Sequence, residues 1–203
     1  MDTIITSPGF ATLYTDIMRE QGFREKHYKI VGKVTIEFSA IEYFLTYFVS
    51  ELISPNAALP ATLALKKLNL ANILEIAPSI FQLQEANSET RAIFERIVSD
   101  INRLRIKRND VIHSMWNYDY VNQRVSYTRL TTSKQKRVQF RNEAFSLEDL
   151  TNLSSEVSAV YHQLLDFIQA WLYGVQPRNG TQLPTTRGTK PPTATKERQK
   201  RES

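Results

Sequence analysis

The sequence predicts an all-α protein: an up-and-down helical bundle with a small inserted β-ribbon and a disordered C-terminal tail. Three long stretches place apolar residues at alternating three- and four-residue spacing, which is the period of one helical face. The period changes between about residues 117 and 141, and large apolar residues almost disappear after residue 175. These two changes predict the ribbon and the tail.

Each long helix is predicted from its apolar stripe and the residues that bound it. Ser88 is the predicted N-cap of the second long helix, and SLED (146–149) resembles a capping box for the third. Gly174 and Pro177 end the third helix. A shorter helix-like segment, 62–77, is predicted to stop at Pro78. The stripes are Val31, Val34, Phe38, Ile41, Leu45, Phe48, Leu52; Phe94, Ile97, Ile101, Leu104, Arg108, Val111, Met115; and Leu150, Leu153, Val157, Val160, Leu164, Phe167, Trp171.

Two units follow from this pattern. Residues 1–175 are predicted to form one helical domain, because 203 residues suffice for one well-buried core. Within it, the segments YDYVNQRVSYTRL and KRVQF alternate apolar or aromatic residues with polar ones, as in an antiparallel ribbon. Residues 176–203 are rich in proline, threonine and charge, and they cannot bury enough surface to offset their ordering entropy.

Composition narrows the functional classes. The chain has no cysteine, which excludes disulfides, thiolate metal sites and cysteine nucleophiles. The N-terminal segment lacks the basic and apolar regions of a secretory signal. The most apolar segment, 30–53, carries four charged residues and is therefore predicted to be a core helix and not a membrane span. A cytoplasmic protein without membrane attachment is expected.

The net charge of +5 is unevenly distributed. Residues 1–116 are neutral, whereas 117–141 carry +5, 142–175 carry −5 and the tail carries +5. A neutral helical body with two basic additions is a plausible footprint for a polyanion such as RNA. Basic loops and tails also serve solubility alone, so both interpretations stay open.

Several kinds of site are excluded. GKVT (32–35) lacks the earlier glycine and the Ser or Thr after lysine that a phosphate-binding loop needs. The three histidines have no i, i+4 pair, so no metal site and no cofactor are expected. His27 and His162 are predicted to be ordinary helix-surface or edge residues. No serine occupies a nucleophile elbow.

The stretch RNDVIHSMW (108–116) carries the strongest chemical signal. Arg108 occupies a stripe position that an apolar residue would normally take, and a buried guanidinium is costly unless it is paired or lies in a cleft. Asn109 and His113 are i and i+4, so the amide is predicted to orient the imidazole. Trp116, one turn further, is placed to shield or stack. Arg108 and His113 lie about 140° apart and flank a surface, and a two-fold axis would bring two copies of each into one cleft.

Such a constellation suits cleavage of RNA. A histidine can take the proton from a 2′-hydroxyl or give one to the leaving 5′-oxygen. An arginine can hold the scissile phosphate and stabilise the charge that develops. Because the nucleophile belongs to the RNA itself, no metal is required, and DNA is not a substrate. A polar network that fixes the bundle register or a dimer interface is the alternative role for both residues.

RNDVIH resembles the signature of HEPN-domain proteins: an arginine, a polar residue, three further residues and a histidine. The preceding helix FSAIEYFLTYFV, with Glu42 in an apolar run, is similar to the first long helix of that family. The resemblance covers about residues 25–175. It implies an all-helical, commonly dimeric fold that is often a metal-independent endoribonuclease, with Arg108 and His113 catalytic and Asn109 as the polar residue. One toxin branch has a modifiable tyrosine two positions after the histidine; this chain has Met115 there, so neutralisation by that route is not expected.

Further residues are candidates for support or RNA binding. Glu42 is a candidate anchor for Arg108, although an exposed edge position is the alternative. Aromatic residues of the ribbon, including Tyr118 and Tyr127, are predicted to pack on the helices beneath and not to stack on bases. The basic residues proposed to contact RNA phosphates are Arg103, Arg105, Lys107, Arg124 and Arg129.

The leading hypothesis is a homodimeric, metal-independent endoribonuclease of HEPN type. A toxin, phage-defence or stress-response system is the expected setting, with an antitoxin or defence protein as a further partner. A non-catalytic HEPN-like interaction module and a nucleic-acid binder that relies on its basic tail are the alternatives. The endoribonuclease requires His113, and the interaction module does not. The tail-dependent nucleic-acid binder requires residues 176–203.

Overall fold

Five helices and three strands make up the described part of the chain, and the prediction of a mostly helical fold with a small antiparallel sheet is confirmed. The computed structural model describes residues 8–55, 58–119, 122, 124–132 and 138–175; for 8–19, 58–59, 124–125, 129–132 and 138–144 it describes the backbone alone. The predicted tail lies outside these residues. The elements are α1 (Pro8–Ile53), α2 (Ala58–Leu65), α3 (Leu70–Gln84), α4 (Ser88–Ile112), β1 (Met115–Asp119), β2 (Arg124–Thr132), β3 (Val138–Ala144) and α5 (Leu147–Tyr173).

The predicted apolar stripes form a single core between α1, α3, α4 and α5. All seven residues of the third stripe are buried, as are those of the first stripe from Val34 onward. Phe48 lies at the centre with no exposed surface. Its ring contacts Phe81, Phe94, Phe167 and Trp171 at centroid distances of 5.4–6.0 Å. The helical period of the sequence therefore identified the faces that pack.

The first helix is longer than its stripe. It begins at Pro8 and spans 46 residues, whereas the stripe starts at Val31. Proline is tolerated in a first helical turn because its missing N–H would have no partner there. None of the helices within the described residues combines the length and apolar character needed to cross a bilayer.

The prediction of one short helix ending at Pro78 is wrong in two respects. The segment forms two helices, because α2 ends at Leu65 and α3 begins at Leu70. The side chain of Asn69 caps α3 by accepting a hydrogen bond from the backbone N–H of Asn72 at 3.0 Å. The helix then continues through Pro78 to Gln84. Proline removes one backbone hydrogen bond, but the buried residues on both sides of it, Leu70, Ile73, Leu74, Ala77 and Phe81, keep the segment helical by packing.

Three helix ends test the predicted caps. The N-cap of α4 is Asn87 and not Ser88, because the Asn87 side chain accepts hydrogen bonds from the backbone of the first turn at 2.8 and 3.1 Å. The capping box of α5 is confirmed, with Ser146 and Asp149 bonding reciprocally. Gly174 is confirmed as the left-handed C-cap, at φ 66°. Pro177 lies outside the described residues.

A buried carboxylate joins the end of α3 to α5. Glu85 is 5% exposed. One of its oxygens accepts a hydrogen bond from the indole N–H of Trp171 at 3.1 Å, and the other accepts one from the backbone N–H of Asn87 at 2.8 Å. These bonds offset the cost of burying the charge, and they fix the α3–α4 turn against the core.

The predicted ribbon is a three-stranded antiparallel sheet in the order β1-β2-β3. It occupies residues 115–144 and so exceeds the predicted range of 117–141 at both ends. Met115, predicted to close the second helical stripe, instead begins β1 and is 66% exposed. The helix is shorter than predicted: α4 ends at Ile112, directly after the buried Val111.

Candidate functional site

The motif RNDVIHSMW spans the end of α4 and the start of β1. His113 is the C-cap of α4, with φ −101° and ψ 10°, and its backbone N–H donates to the carbonyl oxygen of Asn109 at 3.0 Å. The indole N–H of Trp116 then donates to the carbonyl oxygen of Val111 at 2.9 Å. The last carbonyl oxygens of a helix receive no hydrogen bond from the helix itself. The bond from Trp116 therefore stabilises the end of α4, where the chain enters the sheet.

Arg108 points into the protein and not into bulk solvent. Its guanidinium carbon lies 5.9 Å from the ring centroid of Phe38, and its Nη1 donates to Oδ1 of Asn109 at 3.1 Å. Its Nε is buried and has no hydrogen-bond partner among the described residues. No described carboxylate forms an ion pair with it. The guanidinium of Arg108 therefore retains N–H donors for an anionic group.

A cavity of about 260 Å³ surrounds this guanidinium, and we name it the arginine cleft. It is formed by the middle of α1, the first turn of α3 and the end of α4. Two of its side chains are cationic and one is anionic. The lining residues are Phe38, Glu42, Asn69, Leu70, Ala71, Arg105, Arg108 and Asn109. The structure thus brings together three of the four predicted catalytic and supporting residues, with His113 outside.

His113 faces a different direction. It is exposed, and in helical rotation it shares a face with Ile106, which is 52% exposed. Its side chain makes no hydrogen bond or ion pair with the described residues, and the side chain of Asn109, predicted to orient it, bonds to Arg108 instead. Arg108 and His113 therefore do not line a common cavity among those described.

The basic residues of α4 are largely engaged within the protein. Arg103 and Lys107 both form ion pairs with Glu156 of α5, at 2.5 and 3.3 Å. The hydrogen bond that Arg103 donates to Glu156 lowers the pKa of Glu156 and raises the pKa of Arg103. Arg105 donates to the side chain of Asn102 and so keeps an uncompensated charge. Of these three predicted RNA contacts, Arg105 alone lines the arginine cleft.

The sheet positions of the remaining predicted contacts are set by strand register. Arg124 pairs with Asp119 across β1 and β2, and Arg129 lies opposite Arg141 across β2 and β3. The side chains of Arg124 and Arg129 lie outside those that the structure describes. The prediction that the ribbon's aromatics pack inward is confirmed for Tyr127, which is 4% exposed. Tyr120 and Phe140 fall outside the described side chains.

Glu42 lies on α1 between the arginine cleft and a second cavity. It is exposed and forms no ion pair with the described residues, so it does not anchor Arg108 directly. The second cavity, of about 270 Å³, is a groove between α1 and the α2–α3 segment. Its walls are mainly apolar and hydroxyl-bearing side chains: Ser39, Tyr43, Thr46, Tyr47, Thr62, Leu65, Leu68 and Ile73, with Glu42 and Lys66 as its charged residues.

The prediction that His27 lies at the surface is wrong. It is 1% exposed, its Nδ1 lies 3.0 Å from the hydroxyl oxygen of Tyr118, and its ring centroid lies 4.3 Å from that of Trp116. The signal for this burial was present, because His27 precedes Val31 by four residues and so extends the apolar stripe of α1. His162 is exposed, as predicted. His27 therefore attaches β1 to α1, close to the end of α4.

Lowering the pH below about 6.5 should destabilise the protein through His27. Burial lowers the pKa of His27 from its ordinary value of 6.5, so the folded state binds fewer protons than the unfolded state just below that pH. The contribution is complete above about pH 6.5 and is lost as the pH falls toward the lowered pKa. Urea denaturation at about pH 7.5 and 5.5 measures the difference.

The matched variants are His27→Gln and His162→Gln. The pH dependence should shrink in the first, which removes the buried titrating group, and persist in the second, which alters an exposed histidine of α5. An equal loss of stability on acidification in His27→Gln and wild type would assign the effect to other groups.

Comparisons of the chain with protein-family models, with curated proteins and with solved structures gave no match. Within the described residues, no group of three or more potential ligand side chains is arranged to hold a metal ion. The function must therefore be argued from the arginine cleft, His113 and the charges around them.

Proposed function

We propose that the protein is a metal-independent endoribonuclease of HEPN type that acts as a homodimer. The observation that carries the proposal is the guanidinium of Arg108. It lies in a solvent-connected cleft without a carboxylate partner among the described residues, and its Nε is buried and unbonded. Leaving such donors unsatisfied is costly, so a phosphate that completes them gains more than it would at a solvated arginine.

His113 supports the proposal as the proton-transfer group. Its imidazole is exposed at the end of the same helix and makes no hydrogen bond or ion pair with the described residues. A histidine in water can exchange a proton near neutral pH, as removal of a 2′-hydroxyl proton requires.

The angle between the two residues supports the proposed homodimer. Because Arg108 and His113 point about 140° apart around α4, one protomer does not enclose a single phosphate with both. In an isologous dimer, residue i of one copy meets residue j of the other, so an arginine and a histidine from different protomers can flank one RNA backbone. The exposed Ile106, about two turns before His113 on the same face, supplies apolar surface for such a contact.

Fewer residues of α4 are proposed to contact RNA than the sequence predicts. Arg105 remains a candidate, whereas Arg103 and Lys107 share Glu156 and offer RNA less uncompensated charge. The toxin, phage-defence or stress-response setting and the antitoxin partner are proposals that rest on the HEPN resemblance alone.

The purified chain should cleave a mixed RNA substrate in excess EDTA and leave matched DNA intact. Arg108→Ala should reduce the rate, because the developing charge on the phosphate loses its stabilising donor. Arg96→Ala is the matched control, since it removes an exposed arginine of the same helix that lies outside the cleft. RNA cleavage that survives Arg108→Ala, in a variant with wild-type circular dichroism, would reject the catalytic role.

One observation favours a second candidate function, a non-catalytic interaction module. The side chain of Asn109 bonds to Arg108 and leaves the imidazole unsupported, which suits a structural role for the arginine. In that case a folded wild-type protein cleaves no RNA, and sedimentation gives the same oligomeric state for wild type and His113→Ala.

A further inference from the structure

We propose that the arginine cleft binds a dianionic phosphate group, either free phosphate or the terminal phosphate of a nucleotide. This rests on the proposed function only in that both use Arg108, and it requires neither His113 nor cleavage of RNA. Its chemistry differs from that of an internal phosphodiester, which carries a single negative charge, whereas a phosphate monoester approaches two at neutral pH.

Charge is the first argument. Arg105 and Arg108 both line the cleft, and neither forms an ion pair with a described carboxylate. Glu42 is the one acidic side chain of the lining, so the cleft carries an excess of one positive charge. Two guanidinium groups beside one cavity repel each other, and an anion that enters the cleft relieves this repulsion.

The hydrogen-bonding groups point to an acceptor-rich ligand. Arg108 uses Nη1 on Asn109, and Arg105 uses Nε and Nη2 on Asn102. The Nε and Nη2 of Arg108 and the Nη1 of Arg105 remain for a ligand, and guanidinium groups have no acceptor. A phosphate group, with several strong acceptor oxygens and no obligatory donor when dianionic, matches this set.

The opposite wall adds donors of the same polarity. It is the first turn of α3, whose N-cap Asn69 satisfies the N–H of Asn72. Leu70 and Ala71 also line the cleft, and the first N–H groups of a helix have no acceptor within it. The first turn of α3 contains no acidic side chain. The helix dipole therefore adds to the field of the two arginines.

Size limits the ligand. A volume of about 260 Å³ lies at the lower end for small-molecule sites. It accommodates a phosphate group with the sugar that bears it, and it leaves little room for a base. The ring of Phe38 lies against Arg108 and is 3% exposed, so it offers no stacking face to a base. Recognition is therefore expected to depend on the phosphate.

Calorimetric titration of the purified chain with inorganic phosphate, adenosine 5′-monophosphate and adenosine tests the proposal. Phosphate and the monophosphate should bind, and adenosine should not. Binding of the monophosphate should weaken as the pH falls from about 7.5 to 5.5, because a phosphate monoester loses its second charge near pH 6. If the monophosphate binds about tenfold more tightly than inorganic phosphate, the ligand is a nucleotide end; equal affinity identifies free phosphate.

Four variants locate the site. Arg105→Gln and Arg108→Gln should each weaken binding about tenfold or more, the usual effect of losing a charge-assisted hydrogen bond. Glu42→Gln should strengthen it, since the one repelling carboxylate is removed. Arg96→Gln, outside the cleft, should leave the affinity within about twofold. Arg105 is only half-buried, so its variant remains informative if Arg108→Gln fails to fold.

Absence of phosphate and monophosphate binding in the millimolar range, or unchanged binding in a folded Arg105→Gln or Arg108→Gln, would overturn the proposal. Adenosine binding as tightly as the monophosphate would overturn it as well. The ribonuclease proposal fails separately: phosphate binding without RNA cleavage retains the cleft and rejects the enzyme. Cleavage that depends on His113 without phosphate binding does the reverse.

Discussion

Replacing Phe48 with alanine should lower the free energy of unfolding by about 3–5 kcal/mol. The side chain has no exposed surface and lies between Phe81, Phe94, Phe167 and Trp171. These rings come from three other helices, so a cavity at Phe48 cannot close without moving the helices apart. A loss of this size is a large fraction of the stability of an ordinary domain.

Urea unfolding followed by circular dichroism at fixed protein concentration measures this loss. Tyr43→Ala is the matched control, because Tyr43 is an aromatic residue of the same helix that is 66% exposed; it should change stability by about 0.5 kcal/mol or less. If Phe48→Ala is too unstable to purify, Phe48→Leu should show a smaller loss of the same sign. A change below about 1 kcal/mol in Phe48→Ala would contradict the described core.

Exchanging His113 for alanine should reduce RNA cleavage by about 100- to 10,000-fold, the usual contribution of a general acid or base. The side chain is exposed and makes no hydrogen bond or ion pair with the described residues, so its removal should leave the folded state intact. The loss should therefore appear in the rate of bond cleavage and not in the unfolding midpoint or the dimerisation constant.

His162→Ala controls for the loss of an exposed imidazole, since His162 lies on α5. It should retain wild-type cleavage in the same assay, with chelator present. Equal activity of wild type and His113→Ala would remove the histidine from the mechanism. Activity lost equally in both variants would point to nonspecific dependence on surface charge.

The helices and their buried faces were predictable because their determinants are local. A 3.6-residue period identifies which side chains share a face, and burial of one face then follows from the hydrophobic effect. The predicted break at Pro78 was wrong because it considered local determinants only. Proline's effect was judged on the backbone alone, whereas the outcome depends on Phe81 and Ala77 packing against residues from other helices.

The candidate site was predictable only in part. The unusual position of Arg108 in an apolar stripe was visible in the sequence, but its surroundings were not. The cleft requires the first turn of α3, which precedes Arg108 by more than thirty residues in the chain. The position of His27 on the stripe of α1 indicated its burial, but its partner Tyr118, 91 residues away, could not be predicted. Long-range neighbours of this kind leave no periodic signal within one element.

The two tryptophans have different surroundings. Trp171 packs in the aromatic core and donates to Glu85, whereas Trp116 lies at the end of α4, donates to Val111 and contacts His27. Indole emission depends on local polarity and on nearby imidazole, so each tryptophan is an intrinsic optical reporter of a different event. With Trp116→Phe the fluorescence follows disassembly of the core, and with Trp171→Phe it follows detachment of the sheet from the candidate site. The chain thus permits the order in which the two parts come apart to be timed without any added label.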